Sequence, residues 1–328
     1  MTSGSLWRDR SVLVTGATGM VGSALCRSLL SLGASVTALV SDVDPTSEFY
    51  RGGLASQATV VNGRLEEYDA VERAVNEHET SVIFHLGAQT IVGTAHRAPL
   101  PTLATNVMGT AHVVETARRH RDLVSAVVIA SSDKAYGEHT VLPYREDMPL
   151  AGQAPYEVSK SCADLIAQTY WNTYGVPVAI ARCGNIYGPG DLNWSRVVPG
   201  TIRALLRQER PVLRSDGTFL RDYLFLDDVI SGYFLLAEAV LAGSSLGMAF
   251  NLSPERPLTV FEIYRETCLA TLGHEIEPQV LGDAKHEIHD QYLDASLARR
   301  VLGWCSTVSV QDGLARTVPW YREWLGVA

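Results

Sequence analysis

Short apolar runs alternate with amphipathic segments through the first half of the chain. The apolar runs, rich in valine, isoleucine and alanine, are residues 11–15, 35–40, 59–62, 81–86, 125–131 and 177–182. Between them, apolar positions recur at helical spacing in residues 17–32, 69–77, 102–120 and 156–174. Continuous apolar strands that alternate with helices are typical of a parallel sheet covered on both faces. The pattern therefore predicts an α/β fold with a doubly wound parallel sheet.

The pattern changes after about residue 184. Glycines and prolines become frequent, as in GNIYGPGD at residues 184–191, and a helix is predicted near residues 198–208. We predict a first domain in residues 1–183 and a smaller C-terminal α/β substrate lobe in residues 184–328, interleaved with the first. The carboxyl ends of the parallel strands, facing that lobe, are the expected ligand site.

Composition and charge exclude several classes of partner. The chain has 328 residues, 46% of them hydrophobic, and a formal net charge of −9. The negative charge argues against a nucleic-acid or anionic-membrane surface. No apolar run approaches a membrane span, and no signal peptide is predicted. The five cysteines form no CxxC pair, so we expect no metal site, no disulfide framework and a cytoplasmic location.

The first predicted strand leads directly into a glycine-rich loop. Residues 15–22 read TGATGMVG. Gly16 permits a tight turn, Gly19 lets the backbone approach a pyrophosphate, and Gly22 lets the following helix pack on the sheet. This context predicts a Rossmann-type dinucleotide site, whose loop contacts also include Thr18, Met20 and Val21.

The usual ribose-binding acid is less clearly placed. The second predicted strand ends at Val40 and Ser41, and Asp42 follows. Asp42 is a candidate for the ribose hydroxyls, with a solvated loop acid as the alternative. No arginine follows directly to bind a 2′-phosphate, so NAD is favoured over NADP.

Tyr156 and Lys160 form the candidate redox pair. They stand at positions i and i+4 of a predicted helix, one turn apart on the same face, with Pro155 at the helix start. An ammonium beside a phenol lowers the phenol pKa, and a phenolate can take a proton from a hydroxyl while hydride leaves the carbon. A surface Tyr/Lys pair is the alternative, which the upstream dinucleotide loop disfavours.

These segments together resemble the extended short-chain dehydrogenase/reductase family over nearly the whole chain. The shared motifs are TGATGMVG, HLGAQ, the Asn106 segment TNVMGT, Ser132, Tyr156 with Lys160, RCGNIYGPGD and RDYLFLDDV. The resemblance implies a nucleotide-sugar substrate and a catalytic triad of Ser132, Tyr156 and Lys160. It also implies a homodimer through the helices at residues 102–120 and 156–174.

The same resemblance implies further contacts. Those to the NAD cofactor come from Leu86, Ala88 and Asn106, and from Tyr156 and Lys160 themselves. Those to the substrate come from Gln89 and Asn185.

Asp133 and Lys134 distinguish this chain within the family. They follow Ser132 at the end of a predicted strand, where catalysis is expected. A 4,6-dehydratase needs an acid for the departing C6 hydroxyl and a base for the C5 proton, and this pair can supply both. The alternative is an exposed Asp-Lys pair in a loop. We therefore predict a nucleotide-sugar 4,6-dehydratase (a hydro-lyase), with a 4-epimerase as the main alternative and a binding protein without turnover as the other.

Several longer segments are similar to the CDP-glucose 4,6-dehydratase subfamily. They are IFHLGAQTIVGTAHRAPLPTLATNVMGT, SSDKAYG, NWSRVVPGTIRA and KHEIHDQYLD. At residues 220–223, however, the chain has Leu-Arg-Asp-Tyr, where that subfamily usually carries a tryptophan-containing segment. UDP-, GDP- and dTDP-hexoses therefore remain alternatives to a CDP-hexose.

Two arginines and two histidines complete the candidate residues. Arg196 and Arg221 are predicted to bind the pyrophosphate through charge-assisted hydrogen bonds, with surface salt bridges as the alternative. His286 and His289 flank an acidic segment and are interpreted as solvated or structural, because no third metal ligand accompanies them.

Overall fold

The structure, a computed structural model, describes residues 4–283 and 287–327. Its strands are β1 (Ser11–Thr15), β2 (Ser35–Val40), β3 (Thr59–Asn62), β4 (Val82–His85), β5 (Ala126–Ala130), β6 (Val178–Cys183), β7 (Asn185–Tyr187), β8 (Val212–Leu213), β9 (Leu220–Arg221), β10 (Tyr223–Phe225), β11 (Ala249–Leu252), β12 (Leu258–Thr259) and β13 (Gln279–Val280).

The α-helices alternate with these strands. They are α1 (Gly4–Trp7), α2 (Met20–Ser31), α3 (Glu48–Arg51), α4 (Tyr68–Asn76), α5 (Val92–Arg97), α6 (Pro99–Leu103), α7 (Gly109–Arg119), α8 (Pro155–Tyr174), α9 (Val197–Leu206), α10 (Leu226–Leu241), α11 (Val260–Leu272), α12 (Ser296–Leu302) and α13 (Val310–Leu325). Two 3-10 turns, Leu54–Ser56 and Asp133–Tyr136, and one π-helical turn, Ala104–Met108, complete the helical elements of the described residues.

Seven strands form one parallel sheet in the order β11-β6-β5-β4-β1-β2-β3. Successive residues of β1 point to opposite faces, as the strand pleat requires. Val12 and Val14 join the core under α2 and α10, while Leu13 joins the core under α4, α7 and α8. The predicted doubly wound α/β fold is confirmed.

Helix α2 begins later than the sequence pattern predicts. The predicted helix covers residues 17–32, whereas the structure has a turn closed by the Gly19 amide donating to Gly16 O at 3.1 Å. Gly16 has a φ of +70°, which disfavours a helical start there. The glycines therefore form the loop, and the helix starts at Met20.

The helix predicted over residues 102–120 is divided into three parts. Helix α6 passes into the π-helical turn at Ala104–Met108, and α7 follows. Single π-helical turns inside helices are frequent at functional sites. The apolar spacing alone does not reveal this local widening.

The chain returns to the main sheet after residue 225. Helix α10 packs against the same core as α2, and β11 pairs with the outer edge of β6. Helix α10 and β11 lie in residues 184–328, which were predicted as the second lobe, but they pack on the sheet of the first. This is how the two parts of the chain interleave. The sequence analysis missed α10 because it is apolar on most of its surface, as expected of a helix that is covered nearly all round.

The rest of the C-terminal region forms the smaller lobe. Its core joins α9, α11 and α13 through residues such as Ile202, Ile263 and Leu314. Three two-stranded pairings, β7 with β10, β9 with β12 and β8 with β13, connect this lobe. Residues that follow β1, β2, β4, β5 and β6 line one cavity together with residues of this lobe, so the lobe faces the carboxyl ends of the main sheet.

Three properties of the described residues bear on the predicted partners. Within residues 4–283 and 287–327, no helix combines the length and apolar character that a membrane crossing requires. The same residues contain no group of three or more His, Cys, Asp or Glu side chains placed to hold a metal ion. All five cysteines are free thiols.

Candidate active site

A cavity of about 1330 Å³ lies between the sheet and the smaller lobe. It brings together the predicted site residues from both lobes, with one exception, Asn106. The predicted residues that line it are Gly16, Thr18, Gly19, Met20, Val21, Gly22, Asp42, Leu86, Ala88, Gln89, Ser132, Asp133, Lys134, Tyr156, Lys160, Asn185, Arg196 and Arg221.

The cofactor end of the cavity is a close backbone cradle. A Cβ atom on Gly22 would lie 2.0 Å from Gly16 O, and one on Gly16 would lie 2.7 Å from Gly87 Cα. Side chains at these positions would therefore close the space in front of the N-terminus of α2. Free amides and the helix dipole make such an N-terminus an anion site. The loop fits a dinucleotide pyrophosphate.

Asp42 lies at the rim of this end. It is exposed and lines the cavity directly after β2. Arg64, which the sequence analysis did not single out, lines the same region and pairs with Glu66 at 3.4 Å. The structure keeps both alternatives for Asp42, a ribose ligand and a solvated acid.

A buried ladder behind the loop fixes β1 to β4 and α7. The Gly87 amide donates to Thr15 Oγ1 at 3.0 Å, and Thr15 Oγ1 lies 2.8 Å from His85 Nδ1, to which it donates because Nε2 carries the proton of the neutral ring. The Thr110 hydroxyl donates to Asn106 O, so His85 Nε2 donates to Thr110 Oγ1 at 3.1 Å. Burial, reinforced by the nearby Lys160, lowers the His85 pKa to about 3. His85 is therefore a neutral structural residue with a defined tautomer.

Asn106 acts on the chain rather than lining the cavity. It is buried on the π-helical turn, where its Oδ1 accepts from the Gln89 amide at 2.7 Å. Its Nδ2 donates to Gln89 O at 3.0 Å and to Ser159 Oγ at 2.9 Å. Asn106 thus ties the loop carrying Gln89 to the helix carrying Tyr156. The resemblance implies that Asn106 contacts the cofactor, whereas in the structure Asn106 does not line the cavity.

Tyr156 and Lys160 lie one turn apart near the start of α8. Pro155 occupies the first turn, where its missing amide costs nothing. Both side chains are buried, at 9% and 5% exposure, although they line the cavity. Lys160 Nζ donates to Ala130 O at 2.7 Å, which holds the ammonium against the end of β5.

The electrostatics of this pair differ from the expectation. Burial raises the pKa of Tyr156 to about 12, while Arg196 and a hydrogen bond with Ser132 oppose that rise. Burial also lowers the pKa of Lys160 to about 8. We expected the Lys160 ammonium to bring the phenol pKa towards neutrality. Instead, desolvation dominates, and the phenol is protonated at neutral pH.

Ser132, Asp133 and Lys134 form a compact turn after β5. The Ser132 hydroxyl donates to Asp133 Oδ1 at 2.9 Å and accepts from the Lys134 amide at 3.2 Å. Asp133 is only 2% exposed, and its Oδ2 is buried without a hydrogen-bond partner among the described residues. This placement disagrees with the alternative of an exposed loop pair. One carboxyl oxygen of a residue that lines the cavity is therefore not engaged by the described part of the chain.

Lys134 also faces the cavity. Burial lowers the pKa of its ammonium to about 8, against the opposing influence of Asp133. The Glu157 carboxylate also acts to raise the Lys134 pKa. Glu157 is a cavity residue that the sequence analysis missed. Glu157 is buried because its Oε2 accepts the Gln153 and Ala154 amides, capping α8. An amine with a pKa near 8 is suited to proton transfer.

A fully satisfied ion pair stands behind the turn. Arg182 donates to both oxygens of Asp164, at 2.8 and 2.9 Å, and to the Tyr136 hydroxyl at 2.8 Å. Tyr136 closes the 3-10 turn that begins at Asp133, and its hydroxyl donates to Asn251 Oδ1 at 2.8 Å. The network connects β6, α8 and β11 to the turn and fixes the position of Asp133.

The predicted phosphate ligands are held differently from one another. Arg196 pairs with Asp191 at 3.2 Å. Arg221 is buried and donates to Leu220 O at 2.8 Å, His289 O at 2.6 Å and Ile288 O at 2.5 Å. Its guanidinium is therefore largely occupied by the chain.

Asn185 and His289 lie nearby. The Asn185 backbone amide donates to Asp222 O at 3.0 Å, while its side chain remains available to the cavity. His289 packs on Phe219 with ring centroids 4.5 Å apart and bonds Asp290 at 2.7 Å. This agrees with a structural role for His289. His286 lies outside the described residues.

Sequence reasoning also missed Arg203 and Cys183. Both line the cavity, Arg203 from α9 and Cys183 from the end of β6. A signal for Arg203 was available, because it stands seven residues after Arg196 in the predicted helix. Burial raises the pKa of the Cys183 thiol to about 12, so it is not a nucleophile at neutral pH.

Comparison with known proteins agrees with this geometry. The model of the "NAD dependent epimerase/dehydratase family" matches residues 12–252. The chain therefore belongs to this family. The family, the enzyme class and the NAD cofactor predicted from the sequence are confirmed.

Individual relatives include both dehydratases and epimerases. CDP-glucose 4,6-dehydratase of Salmonella typhimurium is 29% identical, over 99% of this chain and 94% of that protein. The structure of dTDP-glucose 4,6-dehydratase from Streptomyces venezuelae with NAD bound is 30% identical, with a TM-score of 0.84, over 95% of this chain and 97% of that one. UDP-glucose 4-epimerase from Thermotoga maritima, with UDP-glucose, is 27% identical, with a TM-score of 0.87, over 96% and 99%.

Proposed function

We propose that this protein is a nucleotide-sugar 4,6-dehydratase, which converts a nucleoside-diphosphate hexose to its 4-keto-6-deoxy derivative. The observation that carries the proposal is the placement of Asp133 and Lys134 in the same cavity as Tyr156. A 4-epimerase needs only the Ser132, Tyr156 and Lys160 positions. An unpartnered carboxyl oxygen and an amine of lowered pKa are the two further groups that elimination requires.

The mechanism begins with proton transfer from the C4 hydroxyl to Tyr156, which is protonated at neutral pH and passes its own phenol proton on to Ser132. The phenol and the Ser132 hydroxyl are hydrogen-bonded, and Ser132 in turn donates to Asp133 Oδ1. A proton taken at C4 can therefore pass through Ser132 to Asp133. NAD, when held by the Gly16–Gly22 loop, supplies hydride acceptance at C4 and hydride return at C6.

Elimination then uses the two remaining groups. The C4 ketone acidifies the C5 hydrogen, which Lys134 removes as a proton. Asp133 gives its proton to the C6 hydroxyl, which leaves as water. Lys134 returns its proton to C5 when the C6 methyl group forms. Protons and the hydride balance, so no external oxidant or reductant is consumed.

Product analysis tests the reaction type. Incubation with NAD and a hexose nucleotide should give a C6 methyl signal by NMR and the near-ultraviolet absorbance of a 4-keto sugar in strong base. A product consisting only of C4 epimers would establish the epimerase alternative. Turnover that Tyr156→Phe abolishes would exclude a binding protein.

A double variant tests the assigned roles. Asp133→Asn with Lys134→Ala should lower dehydration by about 10²–10⁴-fold. Because Asp133 also receives the C4 proton, NADH absorbance should show slower C4 oxidation as well. The matched control is Glu138→Gln, an exposed acid that follows the same turn and does not line the cavity. Full dehydration activity in the double variant would contradict the roles of Asp133 and Lys134.

We further propose CDP-glucose as the substrate. Support comes from the four CDP-dehydratase-like segments and from similarity to the Salmonella enzyme over 99% of the chain. Thermal unfolding with CDP-, UDP-, GDP- and dTDP-glucose compares the bases, because a ligand at 100 times its Kd adds about 2.7 kcal/mol. Stronger stabilisation by another base would replace the cytidine assignment.

We also propose a homodimer through α6, α7 and α8, and a cytoplasmic location. On or between these helices, large apolar side chains are exposed: Leu100, Met108, Leu165 and Tyr174. Sedimentation of the wild type and of Leu165→Asp should give a dimer and a monomer, respectively. If the wild type and Leu165→Asp both sediment as monomers, the proposed interface is wrong. The five unpaired thiols support the cytoplasmic assignment.

A further inference from the structure

Five arginines of the smaller lobe line the cavity, and four of them have partners. Arg196 pairs with Asp191, and Arg214 pairs with Glu287 at 3.1 Å. Arg210 donates to Glu277 O and Pro278 O, both at 3.0 Å. Arg221 is held by three backbone carbonyls. For the fifth, Arg203, the described residues provide neither an ion pair nor a hydrogen bond.

The Arg203 guanidinium is held by an aromatic ring instead. It lies over Trp194, 4.8 Å from the ring centroid, and the residue is half-buried. Trp194 itself packs against Tyr321 and Trp324, with ring centroids 5.9 and 5.4 Å away. Stacking fixes the plane of a guanidinium while leaving its N–H groups free.

Helix α9 carries Arg203 and begins just after Arg196, its N-cap residue. The two arginines are seven residues apart, which is close to two helical turns. Gly200, between them, permits the close approach of the Trp194 loop, because a Cβ there would lie 2.7 Å from Trp194 O. The lack of a side chain at Gly200 therefore helps to bring the ring beneath Arg203.

We propose that Arg203, supported on the Trp194 ring, binds the diphosphate of the nucleotide-sugar substrate. An anionic diphosphate accepts paired hydrogen bonds from a planar guanidinium, and Arg203 has its full set of donors available. This inference rests on the proposed nucleotide-sugar substrate. It adds a contact on α9 to the predicted phosphate contacts of Arg196 and Arg221, both of which the chain already engages.

Binding measurements without turnover test the assignment. Calorimetry would compare the wild type, Arg203→Met and the matched control Arg207→Met, an exposed arginine at the end of α9 that does not line the cavity. The ligands are CDP, UDP, GDP and dTDP, each beside its nucleoside. Arg203→Met keeps an apolar stem over Trp194 and removes the charge. Arg203→Gln is measured in its place if that variant does not fold.

The expected result is a loss confined to ligands with phosphates. Arg203→Met should bind the preferred diphosphate about 10- to 100-fold more weakly, with nucleoside affinity and the Arg207→Met control unchanged. Arg203→Lys should recover part of the loss. Equal losses for diphosphate and nucleoside, no loss at all, or no wild-type binding of any diphosphate would overturn the proposal. Intact diphosphate binding without dehydration would instead reject only the proposed reaction.

Discussion

The two ends of the cavity are built by different means. At the cofactor end, consecutive residues of one loop form the site through their backbone, and the critical feature is the absence of side chains at Gly16 and Gly22. At the opposite end, where we propose that the nucleotide sugar binds and which we call the sugar end, individual side chains converge from distant elements. Examples are Asp133 after β5 and Arg203 on α9. We expect the first end to bind the NAD pyrophosphate, and we propose that the second determines the substrate and the reaction.

This difference separates substitutions that affect binding from those that affect chemistry. The Gly16–Gly22 loop leaves little space for added side-chain atoms, and it contains no side chain that exchanges a proton near neutral pH. The sugar end contains groups whose proton affinities burial has changed, including Tyr156 and Lys134. Changes at the cofactor end should therefore appear in NAD affinity, and changes at the sugar end in turnover and its pH dependence.

The largest effect is expected at Tyr156, where the two ends meet. Tyr156→Phe removes the phenol proton acceptor and should lower turnover by about 10²–10⁴-fold, with NAD and nucleoside-diphosphate affinities retained. Steady-state kinetics and calorimetry measure the two quantities. The control is Tyr174→Phe, at the exposed end of the same helix. If Tyr156→Phe weakened only NAD binding, or only nucleoside-diphosphate binding, Tyr156 would belong to the end of the cavity that binds that ligand.

A smaller effect, confined to the cofactor end, is expected from Gly22→Ala. Its Cβ would lie 2.0 Å from Gly16 O, so the loop must shift, at a cost of about 1–3 kcal/mol in NAD binding. In Gly19→Ala the corresponding distance is 3.4 Å, which makes it a matched control with a smaller loss. Calorimetric titration with NAD and with the preferred nucleoside diphosphate checks both. An equal loss for both ligands would argue that the ends are not independent.

The pH dependence should give the smallest effect. A base must be unprotonated, and burial lowers the pKa of Lys134 to about 8. Its neutral fraction, and with it removal of the C5 proton, should therefore increase by about tenfold from pH 7 to pH 9. Lys160 has a similarly lowered pKa, so the measurement must follow C5 itself, by deuterium exchange with solvent. A C5 exchange rate that is flat or decreases over this range would reject Lys134 as the base.

The same contrast explains what the sequence could predict. Gly16, Gly19 and Gly22 are close in sequence and in space, so the pattern TGATGMVG was sufficient to identify them. Tyr156 and Lys160 share a helix face for the same reason. Their proton affinities depend on burial, which spacing does not report, and the expected lowering of the Tyr156 pKa was wrong.

The residues that were missed depend on long-range packing. Arg203 acquires its significance from having no carboxylate partner within residues 4–283 and 287–327, which only the folded chain can reveal. Arg221 is a different case, because its predicted phosphate contact stays a prediction while backbone carbonyls at Ile288 and His289 engage part of its guanidinium. Helix α10 lacked the amphipathic pattern because it is buried on most of its surface.

The position of β11 makes the order of synthesis matter for assembly. Strand β6 ends at Cys183, and residues 184–248 must leave the ribosome before β11 can pair with it. Until then β6 is an open edge, and the apolar surface covered by α10 is exposed to other nascent chains. In a fragment ending at residue 183, the outer edge of β6 would stay unpaired and open to association with other chains. The sheet of the dinucleotide-binding half is therefore completed only after β11 is made, although its motifs are complete before the chain is half made.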